Sequence, residues 1–422
     1  MSKLSHIIHE LLSMLLLLVI IIGGGMLVYD QKDYAVAPPQ AAAVGEVAVP
    51  DILLNIPPER LFVQPVPHIA TPIPVRAAYM TAWVAGTTKA RDAVISFIDN
   101  SEINAVIIDI KDDTGHVSFV TTDPVVMSIG SSKARIRDIH ALIELLHSKG
   151  VYVIGRIAVF QDPYFANKFP DQAVQSISTD TVWRDRKGIA WVDAGSEMAW
   201  NYVASMAEHA YEIGFDEINF DYIRFPSDGN MKDVEYTLSA GKIRTDVMLS
   251  FYKYLDTRLR SQGIPISADL FGMTTSNRDD LGIGQVLTDA LPHFDFIAPM
   301  IYPSHYPNGF LGLANPANNP YEVIHYAMKK GIERAELIGE DPAKLRPWIQ
   351  DFDLGAKYDA AKIKAQKQAL YDLGLYSWFT WDPRNKYTRG GYDKVLKLPE
   401  TLTMPPVEDS NVPESELITT EI

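Results

Sequence analysis

Between residues 76 and 400 the chain alternates short β-like runs with helical stretches, eight times over. The expected strands are 76–83, 105–111, 151–160, 217–224, 265–271, 294–302, 345–352 and 375–381. Runs of this length, rich in β-branched and aromatic residues and bounded by turn formers, read as strands. The stretches between them carry apolar residues at helical spacing. Residues 136–149 place Ile136, Ile139, Leu142, Ile143, Leu145 and Leu146 at such positions and end at Gly150. Residues 199–213 end at Gly214 and 361–373 at Gly374 in the same way, as suits the left-handed residue just past a helix. Strand–helix alternation builds a parallel sheet. Eight units favour a sheet closed on itself, so the expected fold class is α/β, a (β/α)₈ TIM barrel. No repeat at a solenoid period is present.

In such a barrel the working groups come from the C-terminal ends of several strands. The densest cluster is in 214–227, GFDEINFDYIRFPS. Phe215, Ile218 and Phe220 have the spacing of a buried strand, and Asn219, Asp221, Tyr222 and Arg224 follow at its end. Pro226 is expected to stop that strand, because proline has no N–H for the ladder. The other strand ends supply Thr81 and Trp83; Asp109, Lys111, Asp112 and Asp113; Arg156, Gln161 and Asp162; Asp269; Tyr302; Asp351; and Trp378, Thr380, Trp381 and Asp382. The long segment 161–196 adds Trp183, Trp191 and Asp193. Loops of that length inside a barrel are usually functional.

Carboxylates at several strand ends with aromatics among them suit glycoside hydrolysis. One carboxyl protonates the leaving oxygen while a second attacks carbon or activates water. Asp221 is expected as nucleophile or base, with Asp269 or Asp109 as the acid. Lys111 and Arg224 could hold a neighbouring carboxylate ionised. Lys111, Arg156, Trp183, Trp191, Asp193, Asn219, Tyr222, Arg224, Tyr302, Asp351 and Trp378 are the expected substrate-binding residues, the rings meeting the apolar faces of sugars. Each also has a plainer structural role open to it: Asp109 as a salt-bridge partner of Lys111, Asp351 as a helix start, Tyr302 and Trp378 as core. Asp112, Asp113 and His116 are too loosely spaced for a metal site, and no metal or cofactor is expected. A serine-hydrolase elbow, G-x-S-x-G, is absent.

The formal net charge of −15 argues against nucleic acid, which needs clustered Lys and Arg. With no cysteine in the 422 residues, disulfides, thiolate zinc sites and a thiol nucleophile are excluded. Residues 11–28 are uncharged and just long enough to cross a ~30 Å hydrocarbon core. Residues 1–29 are therefore expected to be a membrane anchor, or a signal peptide that is cleaved, with the barrel outside the cytoplasm. Residues 30–75, dense in Pro, Ala and Val, are expected to be a stiff spacer. Residues 401–422, acidic and without Lys or Arg, read as a disordered tail.

Five segments together carry a family resemblance: AYMTA from Ala78, AVIIDIKD from Ala105, WRDRKGIAWVD from Trp183, GFDEINFDYIRFP from Gly214 and YSWFTWD from Tyr376. They resemble the glycoside hydrolase domain of bacterial envelope proteins, formerly a domain of unknown function, over about residues 75–398. The resemblance implies a (β/α)₈ barrel related to α-amylase-like and other glycosidases, with Asp221 at the strand-four aspartate that is the nucleophile in many α-glycosidases. Two departures are visible. Asp216, Asn219 and Asp221 fall on the aspartate positions of a chitinase-type strand, but Ile223 stands at its catalytic glutamate. Asp269 stands where α-amylase-like enzymes present a glutamate after strand five. The implied function is cleavage of an envelope or extracellular polysaccharide or oligosaccharide. The competing readings are a non-catalytic carbohydrate-binding barrel and an envelope scaffold.

Overall fold

The structure, a computed structural model, describes residues 67–394. Eight parallel strands close into a barrel: β1 Arg76–Met80, β2 Ala105–Lys111, β3 Tyr152–Ala158, β4 Glu217–Asp221, β5 Ile266–Phe271, β6 Phe296–Met300, β7 Trp348–Gln350 and β8 Trp378–Trp381. Each lies within one of the expected runs, and each hydrogen-bonds to its neighbours in chain order until β8 returns to β1. The longer helices are α1 Thr88–Asp99, α2 Ile139–Ser148, α3 Glu197–Glu212, α4 Arg244–Leu259, α5 Pro320–Leu337 and α6 Ala360–Tyr371. Gly150, Gly214 and Gly374 sit at positive φ after helices α2, α3 and α6.

Two apolar clusters hold the barrel, and strand parity sorts residues between them. The outer cluster joins strand residues such as Ala78, Met80, Val106, Ile108, Val153, Ile218 and Phe220 to the helices. Leu142, Ile143 and Leu146 of α2 are fully enclosed there, each such burial contributing about 1.5–3 kcal/mol. The inner cluster is the barrel interior: Ala77, Tyr79, Ala105, Ile107, Tyr152, Ile154, Ala298, Trp348 and Phe379. The odd-numbered residues of β4, Glu217, Asn219 and Asp221, alternate with Ile218 and Phe220 of the outer cluster.

The structure corrects several sequence expectations. Strand β4 ends at Asp221, well before Pro226, because Tyr222 takes a left-handed backbone at φ 54°. A bulky residue there is strained and cannot continue a ladder. Strand β1 stops at Met80, where Thr81 caps the short helix Ala82–Ala85 by accepting from the Val84 N–H. Residues 67–75 are no free spacer. The Ile69 N–H donates to Asp216 Oδ1, the His68 ring stacks on Tyr211 at 3.9 Å, and Ile69 packs against the inner cluster. No described helix is long and apolar enough to cross a membrane. The expected anchor at 1–29, most of the spacer and the tail at 401–422 lie outside the described residues.

Candidate active site

At the C-terminal end of the strands a cavity of about 590 Å³ opens, within the size range of small-ligand sites. Its floor and walls include Tyr79, Asp109, Arg156, Asp221, Asp269, Tyr302, Trp348 and Trp381. The strand residues among them come from the interior parity of β1, β2, β3, β4, β5, β7 and β8. The loops that follow contribute Trp83, Asp112, Asp113, Tyr222, Arg224, Gly272, His305 and Pro383.

Arg156 organises one side of the cavity. Strand β3 lies between β2 and β4, so its interior arginine faces a carboxylate on each neighbour. Nη1 donates to Asp109 Oδ1 at 2.7 Å, while Nη2 and Nε donate to Asp221 Oδ2 at 2.5 and 3.1 Å. Asp109 is saturated, since Tyr79 Oη donates to its other oxygen at 2.7 Å. Asp221 Oδ1 accepts from the Tyr222 N–H at 2.6 Å. The left-handed Tyr222 thus ends the strand and aims its own amide at the carboxylate before it. Burial works against the Arg156 charge, but Asp221 and Asp109 outweigh it and hold the guanidinium firmly protonated.

Asp269 is a carboxyl of a different kind. Strand β5 pairs with β4 in a register of Asn219 with Ser267 and Phe220 with Ala268, which brings Asp269 alongside Asp221. Its Oδ1 accepts from Trp348 Nε1 at 2.7 Å and Asn219 Nδ2 at 3.0 Å. Among the described residues its Oδ2 has no protein partner, and it is left to the cavity. Burial, then the neighbouring Asp221 charge, push the Asp269 carboxyl well above the usual carboxylate range, and the Trp348 hydrogen bond, Arg156 and Asn219 only partly offset them. Asp109 is also raised by burial, with Arg156 opposing. Across the cavity, Tyr302, Phe352 and Trp381 form an aromatic corner with ring centroids 4.9–5.7 Å apart. Such rings suit the apolar face of a sugar.

The structure brings together Asp109, Arg156, Asp221, Tyr222, Arg224, Asp269 and Tyr302 of the expected site. It places the other expected residues elsewhere, each for a physical reason. Lys111 is fully buried and ion-paired with Asp162. A register shift between Asp109 and Lys111 sets Lys111 beside the outward-facing Ile157, and a bulge of this kind re-aims the side chain after it. Asn219 lies one layer below Asp221, fully enclosed, and supports Asp269 instead of meeting substrate. Trp183, Trp191 and Asp193 belong to the packed 161–196 segment, not to an open loop. Trp183 lies against Gly229, and Asp193 accepts from the Leu238 and Ser239 N–H groups. Trp191 sits beneath Arg224. Asp351 is tied to Thr388 N–H and Tyr392 Oη, both at 2.8 Å, outside the cavity wall. Trp378 faces the helices, packed by Tyr392 at 6.0 Å.

Sequence reasoning placed Trp83 and Trp381 at strand ends without giving them a binding role and did not single out Tyr79 or Trp348, yet all four line the cavity. For β8 a signal was available. Trp381 stands at the strand's C-terminal end, where barrel sites form, and Trp378 at its start. Trp348 offered none, because it lies at the beginning of its strand.

Residues 77–387 match a family model described as "Putative glycosyl hydrolase domain". Among solved structures, a hypothetical protein from Ruminiclostridium thermocellum ATCC 27405 shares 34% identity, covering 46% of this chain and 96% of that one, with a TM-score of 0.41. The PgaB (BpsB) glycoside hydrolase domain from Bordetella bronchiseptica shares 13% identity, covering 74% of this chain and 95% of that one, with a TM-score of 0.56. The latter is a likeness of fold. No curated protein matches the chain.

Proposed function

The chain belongs to the glycosyl hydrolase domain family whose model it matches, and we propose that its barrel hydrolyses a glycosidic bond in an envelope or extracellular polysaccharide, with Asp269 as acid and Asp221 as nucleophile or base. The observation that carries this reading is the unlike pair at the cavity floor. Asp221 is ion-paired with the Arg156 guanidinium, whose Nε and Nη2 both donate to its Oδ2 and fix the direction of the carboxylate. Asp269 keeps its proton by burial and by the charge of Asp221, and its Oδ2 is free to meet a leaving oxygen. A carboxyl that holds its proton beside a second one ion-paired to an arginine is the acid–base arrangement that glycoside cleavage requires.

A sugar ring seated on the Tyr302–Trp381 corner would present its linkage oxygen to Asp269. Proton transfer to that oxygen loosens the bond as positive charge builds at the anomeric carbon. Asp221 then attacks that carbon or deprotonates the water that does. Asp109 touches no open volume with a free oxygen. It positions Arg156, which in turn positions Asp221. The assignment is tested by release of reducing ends from envelope polysaccharides, comparing the protein with Asp221→Asn and Asp269→Asn. Full turnover in either folded variant overturns it, and binding without turnover in the unmodified protein would favour a carbohydrate-binding barrel. The envelope location rests on the uncharged run at 11–28 and is tested by fractionating cells and tracking the barrel with and without that run.

A further inference from the structure

The cavity holds a second guanidinium whose circumstances differ from those of Arg156. Arg224 follows β4 by three residues and is 9% exposed. Its guanidinium lies between Trp191, at 4.7 Å from the ring centroid, and Phe271, at 4.6 Å, with Tyr222 at 5.5 Å. Nη1 donates to the Phe225 carbonyl at 3.0 Å and to Ser227 Oγ at 3.3 Å. Among the described residues Nε and Nη2 donate to no protein group, and the side chain lines the cavity. Among the described residues no carboxylate forms an ion pair with it, whereas Arg156 holds two.

An enclosed cation without a counter-charge is costly. The flanking rings return part of that cost through cation–π attraction, and they also fix the plane of the fork. Burial still pulls the guanidinium below its ordinary range, with Tyr222, Asp221, Asp185 and Asp228 opposing in part. A neutral hydroxyl could be recognised by an amide side chain without this expense. An oxyanion supplies the missing charge and matches the fork with two parallel acceptors. Of the other charged groups of the cavity, Arg156 is committed to Asp109 and Asp221, and Asp112 to Arg135, while Asp113 is exposed at the rim.

We propose that the saccharide taken by this site carries an oxyanion, a carboxylate or a phosphate ester, and that Nε and Nη2 of Arg224 receive it. The inference deepens the glycosidase reading and rests on it only for the cavity being a saccharide site.

The test is equilibrium binding of glucuronic acid, glucose 6-phosphate and glucose to the full chain, followed by titration calorimetry or ligand-observed NMR. None of these probes has a glycosidic bond, so the result is independent of whether the protein hydrolyses anything. At least one anionic probe should bind about tenfold tighter than glucose, the gain of a charge-assisted bidentate contact. Which of the two does so identifies the source of the oxyanion. Arg224→Gln should erase that preference, lowering anion affinity by about tenfold more than glucose affinity, and Arg224→Lys should retain part of it. Equal affinity for all three probes, or no binding of either anion, overturns the proposal. So does an Arg224→Gln variant that weakens glucose and anion alike, which would make Arg224 a packing element. Should Arg224→Gln fail to fold, the preference of the unmodified protein and its fate in Arg224→Lys decide the matter.

Discussion

At the N-terminal end of the barrel Asp216 accepts hydrogen bonds from His147 Nε2 at 2.9 Å and from the Val153 and Ile69 N–H groups, both at 2.8 Å. His68 Nδ1 stands 3.5 Å away. Burial alone would raise this carboxyl, but the hydrogen bonds from His147, His68, Val153 and Ile69 outweigh it and hold it below its ordinary range. At the C-terminal end Asp269 is just as enclosed, yet both its hydrogen bonds fall on one oxygen and the charge that acts on it most strongly is that of another carboxylate. The same side chain is a hydrogen-bonded anion at one end and, at the other, a carboxyl raised above its usual range with one oxygen open to the cavity. Burial is common to both; the difference lies in how many lone pairs the protein satisfies and in the sign of the next charge. The lower end anchors the incoming segment 67–75 and the start of β4, while the upper end leaves acceptors open for something that is not protein.

The sharpest test of this contrast is Asp221→Asn, expected to lower kcat by roughly 10⁴-fold, the upper range for a positioned carboxyl, with little change in melting temperature. A turnover near that of the unmodified protein would remove the upper end's claim to chemistry. Asp269→Asn should follow, with a loss of roughly 10²–10⁴-fold, and with stability at pH 7 unchanged or raised. The sign follows from linkage: with the folded value raised, the proton-bound form favours folding. That stability is complete below the unfolded value of about 3.9 and is lost as pH rises through the folded value. An amide does not titrate, so the variant escapes that loss. In the unmodified protein kcat should decline on the alkaline side as Asp269 ionises, and a pH–rate profile flat on that side would count against it as the acid.

Asp216→Asn should do the reverse. Removing the charge from a hydrogen-bonded buried carboxylate is expected to cost about 2–3 kcal/mol by denaturant titration, with kcat unaltered. Because the folded value of Asp216 is depressed, its contribution is present above about pH 4 and lost as pH falls further. Loss of activity at full stability would erase the distinction between the two ends. Asp351→Asn is a change of slope and not of activity. Burial raises Asp351 to about 6, and its Oδ1 is enclosed without a partner. The unmodified protein should therefore lose up to roughly 2–3 kcal/mol between about pH 4 and 6. The amide variant should flatten that slope, and an unchanged slope would mean that Asp351 does not titrate there.

Much of this was readable in the linear chain. Asp109, Arg156, Asp221 and Asp269 stand at strand ends in an α/β alternation, and their meeting at one cavity follows from that position. Other residues looked equally good in sequence and proved to be support. Lys111 and Asp109 are two apart on one strand and should share a face, yet a bulge separates them. Trp183 and Trp191 have the composition of a sugar-binding loop. Their segment instead folds on itself through a small antiparallel sheet of Gln175–Ser176, Thr181–Val182 and Val234–Glu235, which buries both rings.

By itself the sequence determined the number of strand–helix units, their order and the end at which chemistry gathers. These depend on hydrophobic period and on the punctuation of turns, which are local properties of the chain. Tertiary structure alone decided which of two neighbouring carboxyls is ion-paired and which is enclosed without a counter-ion, which tryptophan of β8 meets the cavity, and which arginine lacks an ion pair among the described residues. Those outcomes depend on inter-strand register and on the charges and hydrogen bonds that residues distant in sequence bring to one point. Electrostatic free energy is set by that spatial neighbourhood, which no local pattern encodes.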